Sequence, residues 1–255
     1  MIGLGEGGDR LASVSETSDQ RIEIVTADGL LPAQVWRPPT GTGAAVVVFQ
    51  EIFGVGRYIQ SRCADLAALG YVVVAPEIYW RLGVAAVDED ADDLLQQGMS
   101  LMQQLDWDAA VGDGVAAVRH TKGMIEVTGD VGAVGFCFGG GLAFNVAAIE
   151  HVDALVSYYG SALPQLHPLA PQVDAPGLHH FGDADGYIPL AAVREIEASV
   201  TAQPDVTFEL HAGAGHAFDN PAPMFHHAQA SAEAWTSTVR FLATHLRNRE
   251  QYATD

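Results

Sequence analysis

The sequence predicts an α/β fold, with a doubly wound, mostly parallel sheet and helices on both faces. Short, continuous apolar runs bounded by glycine, proline or charged residues have the length and composition of buried parallel strands. Segments with the apolar spacing of amphipathic helices lie between them. Because a helix usually connects two neighbouring parallel strands, this alternation favours one sheet that is covered on both sides. The predicted strands are residues 44–49, 71–75, 131–135 and 154–158, and the predicted helices are residues 60–69, 93–104, 108–120 and 142–149.

Two further strands are predicted before this alternation begins. Residues 21–25 alternate between polar and apolar side chains, residues 27–29 form a turn signal, and residues 31–36 return as a second strand. Pro32 near the start of the second strand lacks a backbone N–H group. We therefore expect this strand to lie at an edge of the sheet.

The domain organisation is simple. Residues 1–20 are rich in glycine, serine and charged residues and contain few large apolar ones, so we expect a disordered N-terminal extension. Residues 21–250 are expected to form a single domain, because the chain of 255 residues is within the range of one α/β unit. No internal repeat or linker to a second domain is evident.

The charge composition of the chain indicates which kinds of molecule it can bind. With 12 basic and 32 acidic residues the formal net charge is −20, which argues against binding of nucleic acid or anionic membranes. The acidity is also compatible with a salt-rich habitat. No segment has the ~20 consecutive apolar residues of a membrane span, and no signal-peptide pattern is present. Two cysteines, Cys63 and Cys137, cannot form a disulfide framework. We expect a cytoplasmic protein that acts on small molecules, as a monomer or a small homo-oligomer.

The most informative motif is Gly-Phe-Cys-Phe-Gly at residues 135–139. It follows a predicted strand and precedes a predicted helix, which is where α/β-hydrolases hold their nucleophile in a sharp turn flanked by small residues. Cys137 would lie at the helix N-terminus, where backbone N–H groups and the helix dipole stabilise a thiolate. The alternative is a buried cysteine in a glycine-rich turn.

An acid and a histidine follow in the order that this fold requires. Asp185 lies in a turn after the apolar segment 176–178, and His216 lies in a glycine-rich loop after the predicted strand 206–210. Because parallel strands end at the same edge of the sheet, we expect both side chains to meet Cys137. Asp185 would then orient the imidazole of His216, which would serve as a base.

These motifs resemble those of the dienelactone hydrolase (carboxymethylenebutenolidase) family, a cysteine-using branch of the α/β-hydrolases. The resemblance extends from about residue 45 to residue 220, and its specific part is the pairing of the cysteine turn with Glu51. The matching segments are residues 50–55 (QEIFGV), 75–81 (APEIYWR), 135–140 (GFCFGG), 158–160 (YYG), 182–189 (GDADGYIP) and 214–218 (AGHAF).

The resemblance assigns roles to further residues. It implies that Glu51 accepts the thiol proton and gates the nucleophile, and that the backbone N–H of Ile52 is one oxyanion donor. The fold itself supplies the other donor at Phe138. In the family, an arginine that binds the substrate carboxylate lies four residues after the histidine, where this chain has Asn220. Arg81, the other expected carboxylate ligand, is retained.

The sequence therefore predicts a cofactor-free hydrolase that opens enol lactones or activated esters through a thioester on Cys137. Ordinary peptides are excluded, because a thiolate leaves a tetrahedral intermediate more readily than an amide nitrogen does. Two alternatives stay open: a broad carboxylesterase or thioesterase that uses the same triad, and a non-catalytic binding protein with this fold.

No metal site is expected. The acidic segment 88–93 lacks the glycine and the terminal glutamate of a calcium loop, so it is interpreted as a solvated helix N-terminus. His179 and His180 are neighbours on a strand and should point to opposite faces of the sheet. They therefore cannot both ligate one ion in a cluster with Asp183, His211 and His216.

Overall fold

The computed structural model describes residues 20–248. The predicted extension at residues 1–20 lies outside this range apart from Gln20, which begins the first strand. Within residues 20–248, none of the helices has the length and apolar character needed to cross a bilayer.

Eight strands form one mixed sheet in the order β1-β2-β4-β3-β5-β6-β7-β8, and all pairs from β4 to β8 are parallel. The α/β fold with a mostly parallel sheet is thus confirmed. The strands are β1 (Gln20–Val25), β2 (Leu30–Trp36), β3 (Gly43–Phe49), β4 (Val72–Pro76), β5 (Val127–Phe136), β6 (Ala154–Tyr158), β7 (Gly177–Gly182) and β8 (Val206–His211).

Helices cover both faces of this sheet. Helices α3 and α4 pack against β3 and β5 on one face, while α1 and α7 lie on the other, where the guanidinium of Arg62 stacks 4.2 Å from the ring centre of Trp235. The helices are α1 (Arg57–Ala68), α2 (Leu94–Gln104), α3 (Trp107–Lys122), α4 (Phe138–Ala147), α5 (Leu163–Leu166), α6 (Leu190–Val200) and α7 (Ala228–His245), with 3₁₀ turns at Ile78–Leu82 and His167–Gln172.

The expectation that β2 is an edge strand was wrong, because β2 lies between β1 and β4 and is antiparallel to both. Pro32 is tolerated because the ladder with β4 starts only at Ala33, opposite Pro76. The carbonyl of Pro32 still accepts a hydrogen bond from Glu77 N, at 2.9 Å. The missing N–H of proline therefore faces β4 just beyond the end of the β2–β4 ladder, while Pro32 still pairs with Glu23 of β1.

The acidic segment 88–93 is only partly a solvated helix N-terminus. Asp93 precedes α2 as expected, but Glu89 and Asp90 both bind the guanidinium of Arg57, at 2.8 and 2.7 Å. The segment thus fastens the start of α2 to the start of α1.

Candidate active site

Cys137 occupies the sharp turn between β5 and α4. Its backbone has φ 53° and ψ −112°, a conformation that costs a residue with a side chain on the order of 1–3 kcal/mol. Hydrogen bonds hold the turn: Cys137 N donates to Tyr158 O at 3.0 Å, and Cys137 O accepts from Gly140 N at 3.0 Å. This strain is the backbone signature of a nucleophile held at the tip of a strand.

The glycines on either side of Cys137 are required by close backbone contacts. A Cβ atom on Gly135 would lie 2.0 Å from the carbonyl oxygen of Gly139, and one on Gly139 would lie 2.2 Å from that of Phe49. The same packing explains why α4 begins at Phe138, four residues before the predicted start. Gly139 lets the first turn of the helix approach the end of β3, and Gly140 lets it approach the carbonyl of Tyr158 at the end of β6.

The structure brings the three predicted side chains together in one hydrogen-bonded chain. His216 Nε2 lies 3.1 Å from Cys137 Sγ, and His216 Nδ1 lies 2.8 Å from Asp185 Oδ2. The Asp185 side chain is fully buried and that of His216 is 18% exposed. A reactant therefore has access to the histidine, while water does not reach the carboxylate behind it.

Asp185 is fixed by its own backbone environment. Its second oxygen, Oδ1, accepts hydrogen bonds from the N–H groups of Tyr187 at 2.7 Å and Ile188 at 2.9 Å. Both donors belong to the turn that precedes α6. The carboxylate thus has one oxygen held by backbone and the other directed at the imidazole, which fixes the tautomer with a proton on Nδ1.

His216 is held as a cation when Cys137 is a thiolate. Burial opposes the charge on the imidazole, but the neighbouring Cys137 and the hydrogen bond to Asp185 outweigh it and raise the pKa of His216 to about 10. Aromatic rings also confine it, since the ring centres of Tyr159 and Tyr187 lie 5.3 and 5.1 Å from that of the imidazole.

Glu51 is buried beside this chain. It follows the end of β3, is 2% exposed, and its Oε1 accepts a 2.8 Å hydrogen bond from Asn220 Nδ2. Burial, partly offset by that hydrogen bond, raises the pKa of Glu51 to about 8. Among residues 20–248, the side-chain hydrogen-bond partner of the Glu51 carboxyl group is Asn220. The thiol of Cys137 is bonded to His216 instead.

The two expected oxyanion donors are the backbone N–H groups of Phe138 and Ile52. Phe138 is the first residue of α4, where a backbone N–H has no acceptor within its own helix. Ile52 follows Glu51 in the buried turn after β3. The roles of both N–H groups remain predictions.

The two expected carboxylate ligands have protein partners. Arg81 binds Asp113 and also Asp28, the latter at 2.8 Å, and its guanidinium lies over the ring of Trp80. Asn220 is buried between Glu51 and the backbone N–H of Ala222, which donates to its Oδ1 at 2.9 Å. Their roles as substrate ligands therefore remain predictions, and what the structure adds is that Asn220 positions Glu51.

Sequence reasoning missed a buried network that anchors the histidine loop. Asp219, three residues after His216, has a fully buried side chain. It accepts hydrogen bonds from Tyr58 Oη at 2.6 Å, from Arg62 Nε at 2.8 Å and from Ser231 Oγ at 2.6 Å. The loop is thereby tied to α1 and α7. Only the position of Asp219 next to the His216 motif could have drawn attention to it, because its partners are far away in sequence.

Tyr79 was also not identified as a site residue. Its hydroxyl group is buried and has no hydrogen-bond partner among residues 20–248. Burial, followed by the nearby charges of Cys137 and Glu51, raises the pKa of Tyr79. A phenol that remains neutral beside Cys137 is a candidate hydrogen-bond donor to a bound reactant.

The sheet and the strained turn at Cys137 define the protein as an α/β-hydrolase. A model of the dienelactone hydrolase family matches residues 31–246. The chain therefore belongs to the dienelactone hydrolase family and is a hydrolase that acts on ester or lactone bonds.

Relatives and solved structures agree with this assignment. The carboxymethylenebutenolidase of Pseudomonas putida is 34% identical over 224 residues, which cover 87% of this chain and 95% of that enzyme. A dienelactone hydrolase-like promiscuous phosphotriesterase from metagenomic libraries has a TM-score of 0.72 at 23% identity, covering 89% of this chain and 98% of the other. For the dienelactone hydrolase of Anabaena variabilis the TM-score is 0.66 at 18% identity, with 91% and 100% covered. At these identities the two structures support the fold alone.

Proposed function

We propose that this enzyme hydrolyses enol lactones and activated esters through a covalent thioester on Cys137. The observation that carries the proposal is the continuous hydrogen-bonded chain from Cys137 through His216 to Asp185, held on a strained turn. A binding protein without catalysis would have no need of this strain, which disfavours the non-catalytic alternative.

In the first half-reaction, Sγ of Cys137 forms a bond to the carbonyl carbon and the carbonyl π electrons move to the oxygen. The N–H groups of Phe138 and Ile52 receive the resulting oxyanion, and loss of one such donor typically costs about 3 kcal/mol of transition-state stabilisation. When the oxyanion collapses, the bond to the leaving oxygen breaks. His216 then gives its Nε2 proton to that oxygen, which leaves an acyl thioester.

In the second half-reaction, neutral His216 removes a proton from water, and the water oxygen attacks the thioester carbon. Collapse of this second intermediate breaks the C–S bond and releases the carboxylic acid. The thiolate and the imidazolium re-form as a pair, with Asp185 stabilising the cation through Nδ1.

Glu51 exchanges a proton with the thiol of Cys137 in this proposal. With a pKa near 8 it changes its protonation state within the working range, which suits a group that exchanges a proton with a thiol. Asn220 holds one of its oxygens and so determines where the other points. We assign Glu51 the role of gate: its ionised carboxylate receives the thiol proton as substrate arrives, and it returns that proton to Cys137 once the thiolate has re-formed.

The substrate class follows from the leaving group and from the local charges. A thiolate departs before a poor leaving group, so enol and aryl oxygens or thiols are favoured over alkoxides and amines. Arg57, Arg62 and Arg81 all pair with carboxylates of the protein. With a net charge of −20, the protein repels anionic substrates. This favours neutral lactones and esters, and it keeps a broad carboxylesterase or thioesterase as the second candidate function.

A turnover screen tests this function. Cis and trans dienelactones are compared with their methyl esters, with aryl esters and with acyl thioesters, each measured as kcat/KM. We expect turnover of lactones and aryl esters that exceeds turnover of alkyl esters. Hydrolysis of an anilide at a rate similar to that of the matching aryl ester would contradict a thiolate nucleophile. A cytoplasmic location is part of the proposal, because a working thiol requires reducing surroundings.

A further inference from the structure

Three potential metal ligands converge on the face of the sheet that α7 covers. His180 lies on β7, and Glu209 and His211 lie on the neighbouring strand β8. His180 is directly opposite Glu209 in the parallel ladder, and His211 lies two residues further on the same face. His179 points to the other face, where its ring contacts Phe144, so the expected separation of the two adjacent histidines is confirmed.

The spacing of the three ligand atoms suits one small ion. His180 Nδ1 lies 3.1 Å from His211 Nε2 and 3.4 Å from Glu209 Oε2, and the two atoms on β8 lie 3.9 Å apart. Zinc bonds of about 2.0–2.1 Å at tetrahedral angles place neighbouring ligand atoms about 3.3 Å apart. An ion can therefore be accommodated with only small movements of the three side chains.

Outer partners favour the required tautomers. The hydroxyl oxygen of Thr238 on α7 lies 3.1 Å from His180 Nε2, and the carboxylate of Glu233 lies 3.8 Å from His211 Nδ1. Thr238 can accept the proton that the His180 ring keeps when Nδ1 binds a metal, and the negative charge of Glu233 favours a proton on the nearer nitrogen of His211. Glu209 also lines an open cavity of about 280 Å³ between β8 and α7, which gives an ion access to its carboxylate.

We propose that His180, Glu209 and His211 bind one Zn²⁺ ion, with water completing the coordination. No metal site was expected from the sequence, because the ligand set that was weighed there contained His180 and His211 but lacked Glu209. The site lies at the base of the catalytic loop, since His211 ends β8 and the loop to His216 follows directly. His211 also packs on Phe218, with ring centres 5.0 Å apart. Zinc would therefore stabilise the β7–β8 edge and the loop that carries His216.

The experiment uses the full chain, stripped of metal with a chelator and then titrated with Zn²⁺ in a calorimeter. The Cys137→Ser variant serves as the background, so that the active-site thiolate does not compete for the ion. We expect one tightly bound equivalent, and a rise in Tm of about 5–10 °C at a hundredfold excess over Kd. Glu209→Gln should weaken binding by about tenfold or more. The matched control Glu195→Gln, an exposed glutamate on α6, should leave binding unchanged.

Cobalt provides a readout that needs no variant of the cluster. Co²⁺ bound to the wild-type chain should give the visible absorption of a tetrahedral ion with nitrogen and oxygen ligands, without the near-ultraviolet band of a thiolate ligand. Zinc affinity that is unchanged in Glu209→Gln would overturn the proposal. A cobalt spectrum dominated by the thiolate band would also overturn it. Failure to bind a stoichiometric ion would do the same, and would mean that His180 and His211 form only a hydrogen-bonded pair.

Discussion

The amide group of Asn220 donates a 2.8 Å hydrogen bond to the buried carboxyl group of Glu51. A charged arginine at this position would lower the pKa of Glu51, whereas a neutral amide leaves it raised to about 8 by burial. The two residues therefore set the pH at which the carboxyl group of Glu51 changes its charge.

Glu51→Gln should flatten the dependence of stability on pH. Below about pH 4.5 the carboxyl group is protonated in both states. Between about pH 4.5 and pH 8 the unfolded chain loses this proton while the folded chain keeps it, so the free energy of unfolding of the wild type falls as pH rises. The variant lacks this contribution, and its chemical denaturation curves should shift less over that interval. Glu23→Gln, an exposed glutamate on β1, is the matched control.

The same variant tests the gate. Stopped-flow acylation by an aryl ester should show an altered pH profile in Glu51→Gln, because the amide keeps the volume of the side chain and removes the base. An acylation rate equal to that of the wild type from mildly acidic to mildly basic pH would show that the carboxylate is only structural.

Cys137→Ala should lower kcat by at least about a thousandfold, since removal of a nucleophile leaves only binding and the oxyanion donors. Cys63→Ala should retain turnover. Cys63 is fully buried in α1, and burial raises the pKa of its thiol well above the ordinary value, so it is inert towards reagents. Titration with a thiol reagent should label one site in the wild type and in Cys63→Ala. Activity that survives in Cys137→Ala would refute the triad.

Asp219→Asn should destabilise the fold and slow catalysis. The change removes the charge that binds Arg62, and breaking a buried ion pair costs about 3 kcal/mol even if Asp65 retains the guanidinium. The expected fall in Tm is about 6–12 °C. Because the loop carries His216, kcat should fall more than KM rises. Asp65→Asn removes the exposed partner of the same arginine and should change neither quantity appreciably, so equal effects of the two variants would refute the anchoring role.

The dependence of kcat/KM on ionic strength should differ between anionic and neutral substrates. For a dienelactone with a free carboxylate, kcat/KM should rise with ionic strength, because salt screens repulsion by the acidic protein. A neutral aryl ester should respond little. Asn220→Arg should raise kcat/KM for the acidic lactone by about tenfold, since a charge-assisted hydrogen bond contributes about 1.5–3 kcal/mol. If the wild type already prefers the acid and Arg81→Ala abolishes that preference, the proposal of neutral substrates is wrong.

The sequence was most informative where the chemistry is local. The turn around Cys137 and the loops with Asp185 and His216 are short motifs, and each follows a strand whose apolar run is easy to recognise. The parallel sheet then determines that they meet, so the arrangement could be predicted without coordinates.

Other features depend on contacts between distant segments. Nothing near Arg81 in sequence indicates that Asp113 and Asp28 bind it, and nothing near Asp219 indicates Arg62 or Tyr58. The position of β2 was misjudged for the same reason. Proline is excluded from a ladder only where its nitrogen faces a partner, and that depends on where β4 ends.

The central claim is that Cys137 carries the acyl group, and trapping of that intermediate tests it most directly. The wild type is mixed with an aryl acetate, quenched in acid on the millisecond scale, digested and analysed by mass spectrometry. The account predicts an acetyl adduct on the peptide containing Cys137 that forms before steady-state turnover and decays as product accumulates. Turnover with no adduct on Cys137, or with a kinetically competent adduct on another residue, would contradict it.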